Sequence, residues 1–320
     1  MAGRLTLRGW VRLFRLGKAF LWLNLVALGA LGGWYLVQPD GRQREVAQLV
    51  HNAFVAGKHV SPVEVVWDLW QLYYGGDSTG VLPWNGDRRL AIGGLPQATT
   101  FSHGTIRVLV NSAYVVGYSE TLGSPVWAAY RIQDLDHLKP PPPRPENFET
   151  DLRTMAKVPP DAYRKSHYDR GHLAPNFAIA TRFGQAAQRE TFLMSNVVPQ
   201  SHVLNAGLWK DLEQRVAINY PARYGEVWVF CGPIFSSKPA RLSRRVAIPE
   251  RFFMIVLDEV EGRLRAQSFV FPQEPDTGAP LAAYGSSIDA IEQLTGLDFL
   301  TEFDPQSVAS LEARVTRTAW

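Results

Sequence analysis

Between Tyr168 and Glu213 the chain gathers an imidazole, several side-chain amides and several carboxylates. The stretch opens with Asp169-Arg170-Gly171-His172-Leu173-Ala174-Pro175 and passes through Ser195-Asn196-Val197-Val198-Pro199-Gln200. It closes on Leu204-Asn205-Ala206-Gly207-Leu208-Trp209-Lys210-Asp211-Leu212-Glu213. A neutral imidazole can take a proton from water near neutral pH, its ordinary pKa being about 6.5. Amide and carboxylate oxygens are hard ligands that suit a hydrated magnesium ion. From Asn205 onward, Leu208, Trp209, Leu212 and Val216 recur with the period of an amphipathic helix. On one such helix Asn205 and Glu213 would lie about 80° apart, on or beside the buried stripe. An amide and a carboxylate placed there need polar partners or a metal.

Taken in this order, the three segments resemble the DNA/RNA non-specific endonuclease family, the DRGH nucleases of the ββα-metal type. That family takes in secreted bacterial nucleases and the mitochondrial endonuclease G group. The later runs Val227–Phe235 and Val246–Phe253 are similar to the family's later strands. The resemblance implies an α+β fold, a central antiparallel sheet flanked by helices with a ββα-metal catalytic motif. It implies hydrolysis of phosphodiester bonds in DNA and RNA, leaving 5′-phosphate ends. By the same resemblance His172 is the general base and Asn205 the direct ligand to Mg2+, for which Mn2+ can substitute. Glu213 matches the glutamate that holds a metal-bound water, and Asn196 the amide that helps place the histidine and the phosphate. Asp169 is expected as a strand-end structural group, and Arg170 as a phosphate or a structural contact. Arg144 is the nearest match to an arginine that precedes the family's aromatic-x-x-Asp segment, here Phe148-Glu149-Thr150-Asp151, and by that resemblance it is expected to bind substrate. The family arginine that follows the glutamate by four residues has no counterpart, because Ala217 stands there. The family is often dimeric, so a homodimer is expected.

Metal alternatives are narrow. Cys231 is the single cysteine, so neither an intrachain disulfide nor a multi-cysteine zinc site can form. His167, His172 and His202 match no compact zinc spacing and would leave Asn205 idle. The formal charge of +3 invites a polyanionic partner, but five basic residues of the first forty carry the excess. Residues 41–320 hold 28 basic and 29 acidic groups, so any basic groove there has to be local.

Residues 19–37 contain no charge, and nineteen helical residues rise about 28 Å, close to a bilayer core. Arg4, Arg8, Arg12, Arg15 and Lys18 all precede this run. The expected reading is a transmembrane anchor in the lipid bilayer of the inner membrane, with the remainder exported. A cleaved signal peptide is the alternative. The expected layout is a basic cytoplasmic flank over 1–18, the anchor over 19–37 and a helical extension with linker over 38–103. A nuclease domain over 104–304 and a tail over 305–320 complete it. Strands are expected at 106–110, 114–119, 126–132, 192–195, 227–231, 252–257 and 263–271. A loop and short helix are expected over 177–190, one helix from Asn205 to a stop at Pro221, and a last helix over 288–294.

Overall fold

The computed structural model describes residues 22, 25–38, 40–54, 65–66, 69–70, 90–135, 138–260 and 262–320. The chain divides into two units, Met1–His51 and Asn52–Trp320. In the first, Arg42 and Glu45 form a buried ion pair one helical turn apart (2.8 Å). The transmembrane helix expected over 19–37 is not found among the described residues. No helix among them is long and apolar enough to cross a membrane. Residues 19–21, 23 and 24 of the expected span lie outside the described residues, as does most of the expected linker before residue 90.

The second unit carries strands β1 (Ile106–Val110), β2 (Tyr114–Ser119), β3 (Ser124–Gln133), β4 (Tyr168–His172) and β5 (Val197–Ser201). They are followed by β6 (Glu226–Ile234), β7 (Arg241–Leu242), β8 (Val246–Ala247), β9 (Arg251–Val260), β10 (Arg263–Pro272) and β11 (Gly285–Ser286). Seven of them form one antiparallel sheet in the order β11-β10-β9-β6-β3-β2-β1, while β4 pairs with β5 and β7 with β8. β9 and β6 lie inside this sheet and read as nearly unbroken apolar runs, which strands covered on both faces require.

Alternation along the strands sends the two faces to different tasks. Trp127, Ala129, Trp228, Phe230, Phe253, Ile255 and Leu257 point into one core with the C-terminal segments. The residues between them face the other way. Trp209 stacks edge-on against Phe252 (5.7 Å), and the Cys231 thiol reaches the Leu173 carbonyl (3.3 Å). The segments that carry Leu173 and Trp209 therefore sit on the face opposite the large aromatic core.

Four local expectations change. The strand expected at 192–195 is a short turn, and the strand begins at Val197; Pro199 is accommodated because β5 has only one partner strand. Residues 176–191 form one helical stretch, α2 after α1 (Asp40–Phe54), interrupted at Gly184 with φ 81°. The helix expected from Asn205 is three, α3 (His202–Ala206), α4 (Leu208–Gln214) and α5 (Tyr220–Tyr224), with a π-turn over Arg215–Asn219. Gly207, at φ −103° and ψ −118°, breaks the first pair, and Pro221 begins α5 rather than ending a helix. After α6 (Ile288–Thr295), the tail carries α7 (Pro305–Glu312), capped by Asp304, with Val308 and Leu311 in the core. Trp320 packs edge-on against Tyr220 and Tyr224.

Candidate active site

The β4–β5 pair sets the site's frame. Its register places Asp169 opposite Gln200 and His172 opposite Val197. Glycine is required at position 171, where a Cβ would stand 2.3 Å from Gln200 Oε1 and 2.8 Å from its Cβ. Asn196 lies just before β5 and is fully buried. Its Oδ1 accepts from the Ala174 amide (2.9 Å), and its Nδ2 donates to the carbonyls of Ala174 (3.0 Å) and Thr191 (3.0 Å). These bonds engage both ends of the amide and tie the backbone just after His172 to the end of α2. The Asn196 side chain thus holds the histidine's backbone.

The segment Phe148–Asp151 is stitched to the same turn. Glu149 exchanges backbone bonds with Phe192 (3.0 Å) and Met194 (2.8 Å), and Ser195 Oγ donates to the buried Asp151 (2.6 Å). Burial pushes the Asp151 carboxyl up, but Arg153 and Ser195 outweigh it and hold the group below its usual range. This stitching packs Phe148 and Phe192 against His172, at ring separations of 5.3 and 5.0 Å, and against each other at 5.0 Å, so the three rings form one cluster. Arg170 lies over the Phe148 ring (5.3 Å) and Arg144 over the Phe192 ring (5.0 Å). Arg170 is also held by the Pro160 carbonyl (3.0 Å). Both arginines therefore stand one aromatic ring away from the imidazole.

His172 Nε2 is enclosed and has no partner among the described residues, so Nδ1 is the nitrogen left to meet water. Burial first, and the Arg144 charge second, lower the His172 pKa to about 3. The imidazole is thereby kept in the neutral form that a base needs.

Asp169 and Asn205 meet across α3. Ser201 caps that helix, its Oγ accepting from the Leu204 amide (3.2 Å), so Asn205 is not the N-cap and is free for another task. Asp169 Oδ2 accepts from Asn205 Nδ2 (3.0 Å) and from His202 Nδ1 (2.8 Å). The first of these bonds fixes the flip of the Asn205 amide. Asn205 Oδ1 has no hydrogen bond among the described residues. Glu213, one helix further on, accepts from Trp209 Nε1 (2.9 Å) through Oε1. Burial pushes its carboxyl up to about 8, against the opposing Trp209 bond. Because Gly207 intervenes, the angular relation expected of a single helix does not apply to Asn205 and Glu213.

Comparison with known proteins decides the family. A family model described as DNA/RNA non-specific endonuclease matches residues 96–306. The chain belongs to the DNA/RNA non-specific endonuclease family. A nuclease of Nostoc sp. is 30% identical over 224 residues, covering 65% of this chain and 78% of its own. The mitochondrial endonuclease G of Bos taurus is 34% identical over 151 residues, 43% of this chain and 50% of that protein. The chain thus spans about half the length of that relative. A solved EndoG/EndoGI complex, described as showing the mechanism of EndoG inhibition, aligns with a TM-score of 0.55 at 25% identity. That match covers 63% of this chain and 88% of the other. The α+β fold with a large antiparallel sheet flanked by helices, expected from the sequence, is like that of the EndoG structure.

The donor set fits the divalent cation expected of such an endonuclease. Among the described residues no group of three or more His, Cys, Asp or Glu side chains could hold an ion. One amide oxygen without a protein partner, beside the carboxylate of Asp169, suits a cation that keeps most of its waters and does not suit zinc. Asn205 would hold it directly, with Glu213 available to a bound water.

Two consequences can be measured. A depressed histidine pKa puts the acid limb of kcat/KM well below pH 6.5, and Arg144→Ala should move it upward by removing a repelling charge. A limb at the ordinary histidine value, unmoved by the substitution, would contradict this. Glu213 works in the opposite sense. Its folded pKa exceeds the unfolded value of 4.5, so the metal-free protein loses stability as pH rises from 4.5 through about 8. Glu213→Gln is expected to melt near the wild type at pH 5 and several degrees above it at pH 9, both in EDTA.

Proposed function

We propose that this protein is a Mg2+-dependent, sugar-non-specific endonuclease that cuts DNA and RNA to 5′-phosphate ends. The observation that carries the reading is the neutral His172, packed on two aromatic rings and on the same strand as Asp169, which orients the Asn205 oxygen. His172 Nδ1 takes the proton of a water as its oxygen attacks phosphorus, and the bond to the 3′ oxygen breaks on the opposite side. Phe148 and Phe192 hold the ring plane and exclude water from Nε2. A cation at Asn205 would supply charge neutralisation at the scissile phosphate. Recognition through phosphates rather than base edges accounts for action on both polymers.

The proposed location is the extracytoplasmic side of the inner membrane. It is supported by the basic residues that precede the uncharged run 19–37. Protease accessibility in spheroplasts tests it, and protection of the catalytic unit would overturn it. No observation in the structure carries the homodimer, which is not part of the proposal. The chemistry is tested by the ends it leaves. Fragments of linear DNA should be joined by a ligase without prior kinase treatment, whereas fragments that need the kinase would refute 5′-phosphate formation.

A further inference from the structure

Two segments outside the motif form one surface. The loop 157–167 and the β7–β8 hairpin share a small core in which Val246 and Leu242 pack with Val158, Ala162 and Tyr163. Ser243 Oγ donates to the Ala162 carbonyl (2.9 Å). The Arg245 carbonyl and the Val158 side chain both lie over Gly123, where a Cβ would stand 2.3 and 3.5 Å from them. From this shared base Lys157, Arg164, Lys165, Arg241, Arg244 and Arg245 are all exposed. Asp161 is the one carboxylate in the two segments, against six cations, while residues 41–320 as a whole carry one acidic group in excess. Arg241 donates to the carbonyls of Arg245 (3.3 Å) and Thr121 (3.1 Å). Among the described residues no ion pair engages any of the six.

The backbone supplies a second observation. Five non-glycine residues among those described have positive φ, and four of them lie on this surface: Lys157 (41°), Lys165 (60°), Ser243 (47°) and Arg244 (59°). That conformation favours glycine, because a Cβ crowds the neighbouring carbonyl. Three of the four are exposed cations, whose side chains contribute little packing to offset the strain. Strained backbone of this kind persists where the side chain serves another purpose. The surface also adjoins the catalytic site. Phe148 packs on its core and touches the His172 ring, and Arg170 donates to Pro160 within the loop.

We propose that this cationic surface is a phosphate track that grips the nucleic-acid strand flanking the scissile bond. It rests on the nuclease reading above and adds that affinity for polymers is built outside the catalytic motif. Contacts of this kind are sequence-independent and weaken steeply with salt.

The test compares the full chain with the variant Lys165→Gly/Arg244→Gly/Arg245→Ala. DNA binding is followed by fluorescence anisotropy in EDTA, and cleavage is measured on plasmid and on the small diester bis(p-nitrophenyl) phosphate. The variant should bind DNA about 10-fold more weakly at physiological salt, with a log–log salt slope shallower by about 0.9 per lost contact. Its kcat/KM on the small diester should be unchanged. Its melting temperature should be equal or higher, since glycine relieves two left-handed positions. Lys165→Arg/Arg244→Lys, which keeps the charge, should match the wild type. Unchanged polymer affinity and salt slope in the triple variant would overturn the track. A wild type that binds DNA but cuts neither substrate would remove the nuclease reading, and the binding difference would still decide the track.

Discussion

His172→Ala is expected to cut plasmid DNA about 10³-fold more slowly than the wild type, with a melting temperature within a few degrees of it. Loss of a positioned base costs 10² to 10⁴ in rate, and His172 is the one imidazole held neutral inside the motif. The fold should tolerate the change, because Nε2 has no hydrogen bond to lose and Phe148 and Phe192 keep their contact with each other. The space left beside the Phe148–Phe192 pair suits free imidazole, which should restore part of the rate in a concentration-dependent way. A purely structural histidine would show no such rescue. Full activity in the alanine variant would remove His172 from the mechanism.

Asn205→Ala should have an effect of similar size by a different route. It deletes the oxygen that Asp169 orients, while leaving Asp169 its bond to His202. Loss of several kcal/mol of charge stabilisation at the phosphate corresponds to roughly 10²- to 10³-fold in kcat. The variant should also bind Mn2+ more weakly, by electron paramagnetic resonance of the free ion, in the absence of any substrate. Wild-type metal affinity with lost activity would move the ligand role to another residue.

The motif residues were legible because each demands a side-chain chemistry that few positions supply. Asp169 meets Asn205, and Asn196 binds the backbone of Ala174, two residues after His172, all at the β4–β5 pair. The break at Gly207 was not legible, because Leu208, Trp209, Leu212 and Val216 keep helical spacing on its far side. The π-turn before Pro221 was equally hidden, since it absorbs a proline that composition alone marks as a stop. The aromatic cluster beside His172 depends on Phe192, which reaches the site through the Glu149 backbone pairing, a contact with no local signature. α7 had a readable start in Asp304-Pro305, a cap followed by proline at the first turn, but the polar tail obscured it. The uncharged run 19–37 carried a strong compositional signal, yet no membrane-crossing helix is present among the described residues.

The proposed chemistry is hydrolysis of both polymers with the help of a divalent cation. Supercoiled plasmid and a long RNA should therefore be incubated with the purified full chain, in Mg2+ and in EDTA. Degradation of both polymers in Mg2+ and of neither in EDTA is the predicted result. Intact polymers under both conditions, retained on the protein in a salt-sensitive way, would contradict it and mark a binding protein instead.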